Sequence, residues 1–481
     1  MVFSSITFLC AVLPVTFIVY GVLPSLRLKN AFLILVSLLF YSYGEPILVL
    51  LMLASTLANY LFGLWVGSAS GGTKKAGMVV ATCVNLGLLG VFKYANMAVA
   101  TVNALAGTSL PLPNIALPLG ISFYTFQALS YVIDVYRGDV APQRNYARIL
   151  LYISFFPQLI AGPIVKYHDI EQQMADRRAD VADVALGLRR FCVGLSKKVL
   201  IANTMAATAD ALFAGQEVLS CAPAAWLAAF AYLMQIYFDF SGYSDMAIGL
   251  GRMFGFHFKE NFDHPYGSVS VKEFWRRWHM SLSTWLKEYV YIPLGGNRRG
   301  RARAALNRII VFFLCGLWHG ASWTFVVWGL LHGLFLLLEG VIPVRKLPRL
   351  LGHIYTVLFV MVTFVVFRCE TLAQSAGVIS AMFAGWGYDQ SALVCVIEQL
   401  TPLFMTTAVI AVLACAPVPA FIQNMRGNRR LQTARHMRKG SADGVGPVVD
   451  SLSYVVSVAL LVLCVASLSG GTYNPFIYFR F

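Results

Sequence analysis

Between Arg308 and Glu339 the chain runs for thirty residues, 309–338, without a formal charge. About 20 apolar residues suffice to cross the hydrocarbon core of a bilayer as a helix, and a run of this length in water would need burial on every side. The rest of the chain has the same character. Only 12% of the 481 residues are charged and 58% are hydrophobic, whereas a soluble domain carries about 25% charge. Too few polar groups exist to coat a water-facing surface, so the solvent is lipid. The fold class expected is an all-α, polytopic integral membrane protein.

Apolar runs near 2–24, 31–66, 76–92, 116–133, 149–165, 186–208, 223–250, 309–338, 352–367, 400–422 and 449–468 mark the spans. Two exceed one crossing. The run 31–66 is interrupted by Gly44-Glu45-Pro46 and is expected to cross twice, and 309–338 is one tilted helix or a pair. The total is about 11 to 13 membrane segments. Residues 1–26 lack the basic flank of a signal peptide and read as a retained first span. No Ser/Pro/Gly-rich linker divides the chain, so one membrane domain is expected over 1–481.

The formal charge of +15 would suggest nucleic acid in a soluble protein. In a membrane protein it reports topology, because cytoplasmic loops retain Lys and Arg; no nucleic-acid partner is expected. Residues 209–222 and 371–425 hold no base and are assigned outside, whereas Lys166–Lys198, Arg252–Arg308 and Arg426–Lys439 are assigned to the cytoplasm. On that count the N-terminus starts outside. The run 149–165, flanked by Arg148 and Lys166, is expected to be re-entrant. Nine cysteines lie mostly in apolar runs without metal-ligand spacing, so no metal site is expected. Internal repeats, the mark of many transporters, are absent.

Residues 252–308 combine eleven basic and four acidic residues with Phe254, Phe256, Phe258, Trp275, Trp278 and Trp285 among other aromatics. Such a segment lies in the interface on the cytoplasmic side or dips into a protein-lined cavity. Within it Trp275, Trp278, Leu282 and Trp285 follow helical spacing, and Arg276 and His279 share a face. That pattern fits an amphipathic helix, or a cationic and aromatic wall for a phosphate-bearing or thioester donor.

An ionisable group deep in a charge-free run is costly and marks a functional site by default. His319 is such a group, and imidazole suits proton transfer near neutral pH. Gly316 and Gly320 beside it remove bulk, admitting either a substrate or a neighbouring helix. His332, between Gly329 and Gly333, reads as helix packing. Asp239 and Asp245 fall on different helical faces, so a joint acid/base dyad is not expected, and each can pair with a nearby base.

Seven ordered blocks make the chain recognisable: Pro118–Gln127, Phe156–Ile164, Tyr237–Asp245, Phe274–Leu286, Tyr291–Arg298, Trp318-His319-Gly320 and Asn474–Phe479. Together they resemble the membrane-bound O-acyltransferases, of the alginate O-acetyltransferase membrane subunit type. Teichoic acid D-alanyl transfer proteins share the Arg277–Leu282 and Trp318–Gly320 elements. The resemblance implies a helical fold around a tunnel, with His319 at the family's essential histidine and His279 at its second histidine position. Trp318, Arg276, Trp278 and Asp239 are the candidate substrate-binding residues. The function implied is O-acetylation of an exopolysaccharide such as alginate by a multi-pass protein of the bacterial inner membrane. No cofactor is expected to be bound, and acetyl-CoA is the expected donor. The expected partners are periplasmic or membrane-associated acetylation proteins, the polysaccharide acceptor and membrane lipid. The alternatives are D-alanyl or other small-acyl transfer, or a polysaccharide exporter without chemistry.

Overall fold

The computed structural model describes residues 2–215, 217–387, 390–416, 445–471 and 473–474. Every regular element among them is helical. The basic stretch Arg426–Lys439 and most of the closing Asn474–Phe479 block lie outside the described residues.

Both over-long runs divide. The run 31–66 becomes helices Leu26–Ser42 and Leu48–Ser68, parted at Pro46, which has no N–H to continue a helix. The charge-free run 309–338 becomes an antiparallel hairpin of Gly300–His319 and Trp323–Val341, and the Ser322 hydroxyl caps the second helix by accepting from the Thr324 N–H. Glycines set the spacing of this hairpin: a Cβ on Gly316 would strike the Phe325 carbonyl, and one on Gly329 the Phe312 carbonyl. The room that Gly316 clears is therefore filled by the neighbouring helix.

The helix Ala222–Met253 has 32 residues, about 48 Å at the α-helical rise, and is buried along nearly its whole length. Its partner Val181–Ser196 approaches through matched glycines. A Cβ on Gly194 would lie 2.6 Å from the Gly242 carbonyl oxygen, and the same holds between Gly187 and Gly249. Small residues let membrane helices pack backbone to backbone. The two carboxylates of the long helix are neutralised separately: Asp239 pairs with Lys198 at 2.7 Å, and Asp245 with Lys197 at 2.6 Å and Arg190 at 2.9 Å.

Residues 149–165 do not form one crossing. The helix Tyr146–Ser154 is too short to span, a turn of four residues follows at Phe156–Leu159, and every residue from 149 to 167 is buried. By length and apolar composition, five helices among the described residues can cross a membrane, or six if the bent pair Gln390–Gln399 and Pro402–Ala414 counts as one span. That is fewer than the 11 to 13 segments expected from apolar runs. Val181–Ser196 has only 16 residues, Ala222–Met253 is long enough but dilutes its apolar side chains with polar and charged ones such as Asp239 and Asp245, and other runs are broken into short helices. The qualifying helices present apolar side chains outward, including Leu50, Leu57 and Leu61 on one and Val455, Val458 and Val462 on another, as lipid-facing surfaces require.

The aromatic residues of segment 252–308 turn inward: Phe254, Phe256, Trp275, Trp278 and Trp285 are all buried. The single amphipathic helix expected over 274–286 is replaced by two short ones, Val271–Arg277 and Met280–Leu286. They part at His279, whose φ of +41° is left-handed.

Candidate active site

His319 is the last residue of helix Gly300–His319, where backbone carbonyls have no partner within the helix. Two side chains from another helix supply donors. The continuous helix Gly71–Ala106 loosens into a π-turn at Gly90–Tyr94, a distortion frequent at functional sites. The turn presents Lys93 and Tyr94 side by side. Tyr94 Oη donates to the Leu317 carbonyl at 2.6 Å, and Lys93 Nζ donates to the carbonyls of Trp318 at 2.5 Å and His319 at 3.2 Å. The third Lys93 donor reaches Ser122 Oγ at 3.2 Å.

The His319 ring is buried among Trp318, Trp328 and Phe367, at centroid distances of 5.0, 5.1 and 5.3 Å. Neither of its nitrogens has a hydrogen-bond partner among the described residues. A buried polar group left unpaired costs about 1–3 kcal/mol, a cost that proteins retain where the group serves chemistry.

His279 stands 6.4 Å from His319, ring centre to ring centre, and Trp318 packs against both. Left-handed backbone at a non-glycine costs about 1–3 kcal/mol, and Asn261 holds it in place. The Asn261 carbonyl accepts from Met280 N–H at 2.9 Å, and its Oδ1 lies 3.1 Å from His279 Nδ1 and 3.2 Å from the Ser281 N–H. Ser281 Oγ in turn accepts from the Ile164 N–H at 2.9 Å, joining the Phe156–Ile164 block to the site.

Three cavities meet this region. A small one of about 120 Å³ is lined by His319, Trp318, Lys93, Ser122 and Ile160. A second, about 660 Å³, follows the His319 helix from Arg308 to Cys315 and carries Lys272, Arg276, Lys287 and Lys346. A third, about 630 Å³, begins at Gly320 and includes Lys93, Ser322, Thr324, Arg368 and Glu370.

Of the candidates, His319, His279 and Trp318 come together. Arg276 lines the basic cavity instead, so it does not share a face with His279. Trp278 packs behind the site against Phe262, Phe274 and Phe364. Asp239 is engaged with Lys198 in the packing of the long helix. His332 is fully satisfied: its Nδ1 accepts from Trp275 Nε1 at 3.1 Å and its Nε2 lies 3.2 Å from Thr363 Oγ1. Lys93 and Asn261 are additions. Lys93 ends an apolar run and passes for a loop charge, although a charge inside Gly71–Ala106 was a detectable signal. Asn261 sits in an irregular segment where no periodicity singles it out.

A helical membrane protein with paired buried histidines between cavities is the setting of an intramembrane transfer enzyme. Comparison with known proteins makes the class definite. Residues 142–370 match the model of MBOAT, the membrane-bound O-acyltransferase family. The chain is 41% identical to a Pseudomonas putida protein named "Probable alginate O-acetylase AlgI", covering 100% of both. It is 35% identical to a peptidoglycan O-acetyltransferase of Helicobacter pylori over 79% of this chain and 80% of that one. A teichoic acid D-alanyltransferase of Bacillus subtilis is 30% identical over 47% of this chain and 60% of its own length. The chain belongs to the membrane-bound O-acyltransferase family, and within it is of the alginate O-acetylase type. It is a multi-pass membrane acyltransferase.

Proposed function

We propose that this enzyme takes an acetyl group from acetyl-CoA on the cytoplasmic side of the bacterial inner membrane and passes it outward for O-acetylation of an exported polysaccharide such as alginate. The acceptor is the polymer itself or a hydroxyl of a periplasmic partner. The observation that carries this reading is the position of His319, buried with both ring nitrogens unpaired among the described residues, on the wall of a small cavity and in a chain segment whose neighbours Cys315 and Gly320 line the two larger ones.

Lys272, Arg276, Lys287, Arg308 and Lys346 make the larger cavity a site for a polyanionic donor. Their abundance also assigns that mouth to the cytoplasm. The cavity beginning at Gly320 includes Cys369 and Glu370, next to the base-free residues 371–425, and receives the acceptor. The two cavities form the ends of a tunnel, closed between them by His319 and Trp318, within an architecture of about 11 to 13 membrane segments.

In the transfer the acceptor oxygen attacks the thioester carbonyl carbon, and a C–O bond forms as the C–S bond breaks. His319 takes the hydroxyl proton and returns it to the departing sulfur as thiol. Burial among aromatic rings excludes bulk water, which would otherwise hydrolyse the thioester. His279 completes the site; Trp318 walls it. Trp278 supports that wall, and Asp239 anchors the long helix.

The test uses sealed inside-out vesicles containing the protein and its acceptor. Acetyl-CoA labelled in the acetyl group and added outside should deliver label to the acceptor within. Delivery only when donor is placed in the lumen would reverse the assignment of the cavities, and no delivery from either side would reject acetyl-CoA as donor.

A further inference from the structure

The hydrogen bonds around Asn261 determine which nitrogen of His279 carries the proton. Asn261 is buried, and its Oδ1 faces the Ser281 backbone N–H at 3.2 Å. A backbone N–H can only donate, so the atom facing it is the amide oxygen and not the nitrogen. The other end agrees, since Asn261 Nδ2 donates to Ser244 Oγ at 3.0 Å. An amide oxygen can only accept, and it lies 3.1 Å from His279 Nδ1. The Ser281 hydroxyl is 3.4 Å from Nδ1 but gives its proton to the same amide oxygen at 2.8 Å, so His279 Nδ1 is the donor. In the neutral ring, Nε2 then holds the lone pair; it is buried and has no partner among the described residues.

We propose that Asn261 is a positioning residue that locks His279 as the Nδ1–H tautomer, presenting Nε2 to the reacting groups as an obligatory hydrogen-bond acceptor. Resting on the acyltransfer reading above, this gives the two histidines different standing. The tautomer of His279 is fixed by the protein, whereas His319 has no partner among the described residues to fix its own. His319 is the titratable side chain in ring contact with His279; the long helix offers Phe240 and the loop before Asp263 offers Phe262, both uncharged.

Histidine labelled with ¹⁵N and ¹³C, observed by solid-state NMR in bilayers and assigned with His279→Gln, reads the tautomer without reference to activity. Wild type should show a protonated Nδ1 and a bare Nε2, and Asn261→Leu should lose that single form. A protonated Nε2 in wild type, or the same tautomer surviving in Asn261→Leu, would overturn the proposal. In the transfer assay Asn261→Leu should lower kcat by about 10²-fold with donor KM unchanged. Asn261→Asp still accepts from Nδ1, so it should retain most of kcat. Its carboxylate stabilises the imidazolium and should raise the pH at which His279 takes its second proton, read in the same NMR experiment, by roughly one pH unit or more. An unshifted His279 titration would contradict the contact, even if the leucine variant failed to fold. An inactive wild type would reject the acyltransfer reading and leave the tautomer measurement standing.

Discussion

His319 and His332 stand on the two arms of one hairpin, both buried and both inside the same charge-free run. Burial does not distinguish them. His332 has Trp275 on one nitrogen and Thr363 on the other, so it works as a polar rivet between three segments. His319 has neither nitrogen engaged among the described residues and lies at a helix terminus on the wall of a cavity. The difference teaches that hydrogen-bond satisfaction, rather than depth, separates a structural intramembrane histidine from one available for proton transfer.

Substitutions at four positions can break or sharpen that contrast. The largest effect belongs to His319→Gln, which should lower kcat by about 10³-fold with thermal unfolding unchanged within error; an active glutamine variant would mean that the ring transfers no proton. Next is Lys93→Met, which removes the donors on the Trp318 and His319 carbonyls. It should reduce kcat by about tenfold or more through misplacement of His319, whereas Lys93→Arg should recover part of the loss. His332→Leu should reverse the pattern. With the buried Trp275 N–H left unpaired, it should lose about 1–3 kcal/mol of stability, measured by thermal unfolding in detergent, while kcat of the folded fraction stays within about threefold. A catalytic loss there as large as at His319 would erase the contrast.

The smallest effect lies at His168, outside the membrane segments, where hydrogen bonds that its ring donates to Asp134 and then Asp169 raise its pKa from 6.5 to about 9. Because the folded value is the higher one, this contact stabilises fully below about pH 6.5 and is lost as pH rises through about 9. His168→Gln should flatten that part of the stability profile, measured as unfolding temperature against pH. An unchanged slope would show that the ion pair contributes nothing.

Much of this was legible before any coordinates. Gly44-Glu45-Pro46 announces the break in 31–66, and the charge-free setting of His319 marks it without help from geometry. The 274–286 segment defeats periodicity because Trp275, Trp278, Leu282 and Trp285 keep helical spacing across a break. The break is set at His279, with no glycine or proline to betray it, and is held by Asn261 from a distant part of the chain. Arg276 was separated from His279 by that same turn. Lys93 was overlooked because a charge ending an apolar run looks like the start of a loop, while the helix continues through a π-turn that hydropathy cannot detect. Long-range contacts, then, determined what local pattern left open.

The most direct test of the central claim compares secreted polymer from cells expressing wild type and His319→Ala at equal membrane levels, measuring acetyl ester per unit of polymer. The account predicts normal export of a polymer nearly devoid of esters. Full esterification in the alanine variant would contradict it, as would export that falls while ester content per unit stays the same.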